Sequence, residues 1–287
     1  MGLGSHRPTI PETDRPAKSI RRHRLGNDGL AEACTSGPRR LESLWFWDER
    51  HVQLNSVIIP TYNERENIVA LIGEILALPV PFEVFVVDDN SPDGTGQLAD
   101  AMAARNPHVH VLHRPGKLGL GTAHIAGMRA AIEAGCFRVC TMDADFSHHP
   151  RHLPELVESL DKWDIVIGSR YVAGGGTLHC TASRKALSRG ANLFARLVLG
   201  LPATDTTAGF RGYRRPVLES APLDTIRSNG YSFLIEMLFL CAQKGYTVGE
   251  IPILFENRQM GSSKISRTEI LRALQTVARL GWSRWGE

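Results

Sequence analysis

From Ser56 onward, apolar positions follow two spacings in turn. Short β-branched runs such as Val57-Ile58-Ile59 give way to stretches in which apolar residues return every three or four positions. That alternation predicts strands interleaved with helices, an α/β fold with a mostly parallel central sheet. The first strand is predicted at Val57-Ile58-Ile59. It leads through Pro60-Thr61-Tyr62-Asn63 into a helix reaching about Leu78, with Asn63 as its N-cap. Further strands are predicted over residues 82–87, 109–112, 137–142 and 165–168, with helices over 96–105, 122–134 and 154–160 between them. Polar residues cluster where these strands end, and open α/β sheets gather ligands along that edge. Asn63, Asp88, Asp89, Asp143 and Asp145 are therefore expected side by side.

Two later segments have a one-sided pattern. Over residues 183–201, Leu187, Ala191, Phe194, Val198 and Leu201 fall on one helical stripe, with Arg184, Lys185, Arg189 and Arg196 elsewhere. Over 269–285, Ile270, Leu274, Val277 and Gly281 form a stripe that ends near Trp282 and Trp285. Each segment suits either a surface helix packed on the core or a helix lying in a membrane interface. Residues 1–50 mix Pro, Gly, Arg and Glu without a repeating apolar pattern, which predicts a largely disordered extension ahead of a domain over 51–287. Within it, Leu44-Trp45-Phe46-Trp47 reads as a patch packed on the domain or as an anchor for a membrane or partner.

Composition narrows the class. Hydrophobic residues make up 43% and charged residues 22% of the 287, values of an ordinary globular protein. No run approaches the ~18–20 apolar residues of a spanning helix, and the Arg-rich start lacks the apolar stretch of a secretory signal. The expectation is a cytoplasmic protein in peripheral contact with a membrane. Cys34, Cys136, Cys140, Cys180 and Cys241 form no CxxC pair, against both a zinc site and a disulfide framework. Net charge is only +3, yet residues 165–287 carry 16 Lys/Arg against 8 Asp/Glu. A field of that sign suits phosphate-bearing ligands, an anionic membrane or nucleic acid.

Three motifs carry candidate chemistry. Asp143-Ala144-Asp145 follows an apolar strand, and alternation along an extended backbone can turn both carboxylates the same way. Such oxygens suit Mg²⁺ or Mn²⁺ bridging a diphosphate, and equally a solvated turn. Asp88-Asp89-Asn90-Ser91, followed by Asp93-Gly94-Thr95, has the composition of a self-bonded turn, or of one that also holds a base or ribose. The loop from Gly116 to Gly121 matches a dinucleotide fingerprint only loosely and follows the third strand rather than the first. A P-loop is excluded because Leu118, not Ser or Thr, follows Lys117.

Taken in order, these motifs resemble the family 2 glycosyltransferases, and within them the dolichol-phosphate (polyprenol-phosphate) mannose synthases. The resemblance extends through Gly168-Ser169-Arg170-Tyr171-Val172, the segment from Asp205 to Arg211, and Arg258, Gly261, Ser263 and Lys264. It covers about residues 55–265 and implies a GT-A nucleotide-sugar-binding fold. It further implies that Pro60, Tyr62, Glu64, Asp89, Lys117, Asp143, Ala144, Asp145, Arg258 and Lys264 hold the donor. Asp143, Asp145 and Ser147 would approach the metal, and Arg170, Arg184 and Ser188 the acceptor phosphate. Asp145, Arg170, Arg258 and Lys264 would carry catalysis. The implied reaction passes mannose from GDP-mannose to a polyprenyl or dolichyl monophosphate with inversion. Many relatives continue into spanning helices, so a membrane-embedded partner protein is a further expectation. The competing expectations are a hexosyltransferase using a UDP-sugar and a non-catalytic lipid- or nucleic-acid-binding module; on the main reading nucleic acid is not a ligand.

Overall fold

The computed structural model describes residues 54–256 and 267–285. Seven strands build the central sheet: β1 (Asn55–Thr61), β2 (Glu83–Asp88), β3 (Val109–His113), β4 (Arg138–Thr141), β5 (Ile165–Ser169), β7 (Arg211–Arg214) and β8 (Val248–Pro252). Their order is β3-β2-β1-β4-β7-β5-β8, parallel except for β7, which runs antiparallel to both neighbours. The remaining strands, β6 (Gly176–Leu178) and β9 (Leu254–Glu256), form a separate parallel pair. The helices are α1 (Ile68–Leu76), α2 (Thr95–Ala103), α3 (Leu120–Glu133), α4 (Leu153–Ser159), α5 (Ala182–Leu199), α6 (Arg215–Ser220), α7 (Tyr231–Gln243) and α8 (Arg267–Trp285).

The strands lack polar alternation because both faces of the sheet are covered. Val57 and Ile59 of β1 and Val84 and Val86 of β2 point into one core with α1, α2 and α4. Ile58, Phe85 and Val87 point into the other, which α3, α6, α7 and α8 cover. Packing on that second face leaves no room for a side chain at Gly127 of α3, where a Cβ would sit 2.4 Å from Ile58 Cγ2.

The predicted strands and helices up to residue 169 are present, with ends shifted by at most two residues. One start is wrong by more. The first helix begins at Ile68 rather than behind Asn63, and its N-cap, Asn67, makes no side-chain capping bond. Asn63 instead sits in a turn at φ 60°, and its N–H donates to Ser91 Oγ at 3.1 Å. The turn residues thus bond across to the β2 loop instead of starting a helix.

The predicted apolar stripe of residues 183–201 is also corrected. Helix α5 buries Asn192, Ala195 and Leu199, while Leu187, Leu193, Phe194 and Leu197 stay exposed. The helix therefore packs through a narrow face of mixed polarity and leaves most of its apolar residues uncovered. On α8, Val277 and Leu280 are buried as a packed stripe requires, but Leu274 is half-exposed and Trp282 is 84% exposed. The side chains of Ile270 and Trp285 lie outside the described residues, as do Leu44-Trp45-Phe46-Trp47, Cys34, Arg258 and Lys264.

Candidate active site

A cleft of about 600 Å³ opens at the C-terminal ends of β1, β2, β4 and β5. The parallel strands end together here, so the residues just past each strand share one rim. Pro60 and Tyr62 come from the end of β1, Asp89 from β2, Asp143 and Asp145 from β4 and Arg170 from β5. Glu64, Lys117, Ala144, Ser147, Arg184 and Ser188 complete the set of expected residues that line the cleft. Asn63 and Asp88 were expected on the same rim and do not line it.

Strand alternation separates the two neighbouring carboxylates. Asp88 turns inward: Thr61 Oγ1 donates to its Oδ1 at 3.1 Å, and Ser91 donates through both N–H and hydroxyl at 3.0 and 2.5 Å. Asp93 closes the same turn by accepting from Thr95 N and Oγ1 and from Arg65 N. Burial opposes its ionisation, but the bonds from Thr95 and Arg65 outweigh that and hold the carboxyl below its usual range. Asp89 turns toward the cleft. Its Oδ2 accepts from Leu118 N at 3.2 Å and its Oδ1 faces the Arg114 guanidinium at 2.9 Å, which ties the Gly-rich loop to the rim. Burial pushes its carboxyl up despite Arg114. Beside it, the Lys117 ammonium lies 4.2 Å from the centre of the Tyr62 ring.

The acidic motif forms a tight turn past β4. Ser147 N donates to Asp145 Oδ1 at 3.0 Å, and Thr141 Oγ1 donates to Gly209 O at 2.7 Å, which draws the loop before β7 against Asp143. Behind the motif, His148 is buried between Phe210, stacked at 5.5 Å, and Phe255, edge-on at 5.4 Å. Burial pushes its imidazole down to about 4, against the charge of Asp145. No group of three His, Cys, Asp or Glu side chains placed to hold a metal ion stands among the described residues. Two carboxylates with a neighbouring hydroxyl nevertheless fit Mg²⁺ or Mn²⁺, which bind through one or two carboxylates and take further oxygens from substrate phosphates. Asp143, Asp145 and Ser147 are the residues that would hold such an ion.

The cleft is also lined from α5, α8 and the start of α7. Arg184, Lys185, Leu187, Ser188 and Phe194 come from α5, and Arg272, Leu274 and Val277 from α8. Helix α8 is fixed to α7 by Arg279, whose Nη2 donates to Glu236 Oε1 at 2.8 Å. Burial resists the Glu236 charge, yet bonds from Ser228 and Arg279 keep its carboxyl below the usual range. Sequence reasoning assigned no role to His148, Tyr171, Asn192, Asn229, Tyr231, Phe255 or Arg272, all of which line the cleft. Asn192 carried one signal, a polar residue on a helix face that proves buried. Tyr171 lies within the motif at residues 168–172 and His148 just past the acidic motif, whereas Asn229, Tyr231, Phe255 and Arg272 arrive from segments with no local motif.

An open, mostly parallel sheet whose strand-end cleft holds an acidic motif and several cations fits one class well, the transferases that use nucleotide-activated sugars. The profile described as Glycosyl transferase family 2 matches residues 56–221, and the chain belongs to that family. The chain is 46% identical over 229 residues to an undecaprenyl-phosphate mannosyltransferase of Micrococcus luteus, covering 79% of this chain and 94% of that protein. It is 44% identical over 234 residues to a polyprenol monophosphomannose synthase of Mycolicibacterium smegmatis, with 81% and 88% covered. Among solved structures, glucosyl-3-phosphoglycerate synthase from Mycobacterium tuberculosis, in complex with Mn²⁺, UDP and phosphoglyceric acid, superposes with a TM-score of 0.58. That match is 22% identical, covers 81% of this chain and 78% of the other, and speaks for a shared fold.

Proposed function

We propose that this protein transfers mannose from GDP-mannose to a polyprenyl monophosphate with inversion, using Mg²⁺ or Mn²⁺, while resting peripherally on the cytoplasmic face of a membrane. The observation that carries this reading is a single cleft with an acidic rim at the strand ends and a cationic, partly apolar wall on α5 and α8. A bound divalent cation would neutralise the donor diphosphate and stabilise the departing nucleoside diphosphate. Asp143, Asp145 and Ser147 would hold it, Pro60, Tyr62, Glu64 and Asp89 hold the nucleotide, and Arg258 and Lys264 complete the charge screen around the diphosphate. The acceptor phosphate is met by Arg170, Arg184 and Ser188. Its oxygen is anionic near neutral pH, so the residues need only position it against the anomeric carbon, and no general base is required.

The uncovered Leu187, Leu193, Phe194 and Leu197 of α5, with Arg184, Arg189 and Arg196 on the same helix, suit a helix seated in an anionic interface. No helix among the described residues is long and apolar enough to cross a membrane. A membrane-embedded partner is part of this proposal. Both curated relatives are named for mannosyl transfer to a polyprenyl carrier, which supports the choice of sugar and acceptor.

The test is to incubate purified protein, polyprenyl phosphate and either Mg²⁺ or Mn²⁺ with GDP-mannose, UDP-glucose or UDP-N-acetylglucosamine and to follow labelled lipid. Mannolipid from GDP-mannose alone is the expected result. Glucolipid instead of mannolipid would overturn the donor, and no lipid product with any donor would overturn the reaction. Asp145→Ala should abolish transfer, whereas Arg184→Ala should chiefly raise the KM for the lipid.

A further inference from the structure

Arg170 is held from several sides. Its Nε donates to Asp205 Oδ2 and its Nη2 to Asp205 Oδ1, both at 2.7 Å, while its backbone N–H donates to Oδ2 at 3.1 Å. Nη2 also donates to Thr207 Oγ1 at 2.9 Å. The Tyr171 and Phe255 rings lie 5.2 and 5.4 Å from the guanidinium carbon. Asp205 is fully buried, and its own loop is clamped from β8, where Glu250 accepts from Asp205 N at 3.0 Å and from Thr204 N and Oγ1 at 2.8 Å.

The network continues into α5. Asn192 Nδ2 donates to Thr207 Oγ1 at 3.2 Å and to Ser188 O at 2.9 Å, and Tyr171 OH donates to Ser188 Oγ at 2.6 Å. An unbroken set of bonds therefore joins Asp205 to Arg170 and Ser188, two of the three acceptor-side residues. The side-on pair occupies Nε and Nη2 of the guanidinium and leaves Nη1 without a protein partner among the described residues. A buried carboxylate that locks an arginine in this way removes the cost of ordering it when the ligand arrives.

We propose that Asp205 is a positioning residue for the lipid-phosphate acceptor: it fixes Arg170 with Nη1 available to the phosphate and, through Thr207 and Asn192, sets Arg170 in register with Ser188. This rests on the reading of the cleft as a phosphate-acceptor site.

The experiment is a double-mutant cycle of Asp205→Asn and Arg170→Ala, read in farnesyl phosphate binding, polyprenyl phosphate KM and kcat, GDP-mannose binding with Mn²⁺, and thermal melting. Asp205→Asn should weaken farnesyl phosphate binding and raise the lipid KM about tenfold, leaving donor binding unchanged. In the Arg170→Ala background the same substitution should add less than about twofold, since Asp205 acts through Arg170. Asp205→Glu, which keeps the charge, should recover part of the loss. Thr207→Val keeps the volume and should weaken acceptor binding about threefold; it decides the matter if Asp205→Asn melts early.

An equal loss in both backgrounds, or donor binding lost together with acceptor binding, would overturn the proposal. So would a wild-type protein that does not bind farnesyl phosphate. Coupled binding without any mannolipid would support the positioning role while overturning mannose transfer.

Discussion

Arg211 is among the largest fully buried side chains of the described residues and has no carboxylate partner among its bonds. Its three guanidinium nitrogens donate to Ala208 O, Leu234 O and Thr206 O at 2.7–2.8 Å, so the cation is solvated by the main chain of α7 and of the loop that carries Asp205 and Thr207. Arg211→Leu would strip three buried carbonyls of their donor and should cost about 3 kcal/mol or more in urea denaturation; a loss below about 1 kcal/mol would contradict this role. His124 is buried near Arg211 and stacked on Phe233 at 5.6 Å, and burial, helped by the Arg211 charge, pushes its imidazole down to about 3. The unfolded chain then binds a proton between about pH 6.5 and 3 that the folded chain refuses. His124 therefore removes stability as pH falls through 6.5, by up to about 1.4 kcal/mol per pH unit. His148 adds a shorter stretch of the same sign down to about 4. With His124→Gln the fall in urea midpoint between pH 6.5 and 5 should be shallower than in wild type, whatever the offset at pH 7; an unchanged slope would exclude His124 as its source. Strand pattern alone could not separate Asp88, the last residue of β2, from Asp89 just past it, although the family resemblance named Asp89 alone. The pleat separates them, aiming one at Thr61 and Ser91 and the other at the cleft.

Helix α5 was legible as a helix but not as to which face it packs. Its buried residues, Asn192, Ala195 and Leu199, were overshadowed in the sequence by larger apolar residues that stay in solvent. Because Leu197 is 69% exposed, Leu197→Glu should change stability by less than about 0.5 kcal/mol. The same substitution, combined with Leu193→Glu, should lower co-sedimentation with vesicles rich in anionic lipid several-fold. Unchanged sedimentation would mean that the uncovered face serves another purpose. The contact of α5 with α8 is close at Gly281, where an added Cβ would lie 2.8 Å from Val198 Cγ1. Gly281→Leu should pry the helices apart and destabilise by about 1–3 kcal/mol, seen as a lower melting temperature. Strand β7 was illegible for a different reason. Arg211-Gly212-Tyr213-Arg214 has neither the alternation nor the β-branched run of a strand; it is one because β4 and β5 leave a gap that it fills.

At the scale of the whole chain, the uneven charge noted in the sequence acquires a location. Arg184, Lys185 and Arg272 of the basic half line the same cleft as Asp89, Asp143 and Asp145, so both signs meet in one site. Association with anionic vesicles should therefore weaken steadily from about 0.05 to 0.5 M salt, as the screening length shrinks from above to below the ~10 Å typical of 0.1 M. Salt-independent binding would leave the apolar face as the whole attraction. The sequence by itself determined the α/β class, the parallel first half of the sheet and most residues of the acidic rim, because strand pattern and strand-end position are local properties. Only the tertiary structure decided the direction of each side chain past the strand ends, the clasp of Arg170 by Asp205, the burial of Arg211 and the uncovered face of α5. Each depends on what a distant segment brings alongside, and residues 35 apart leave no mark of their pairing in local spacing.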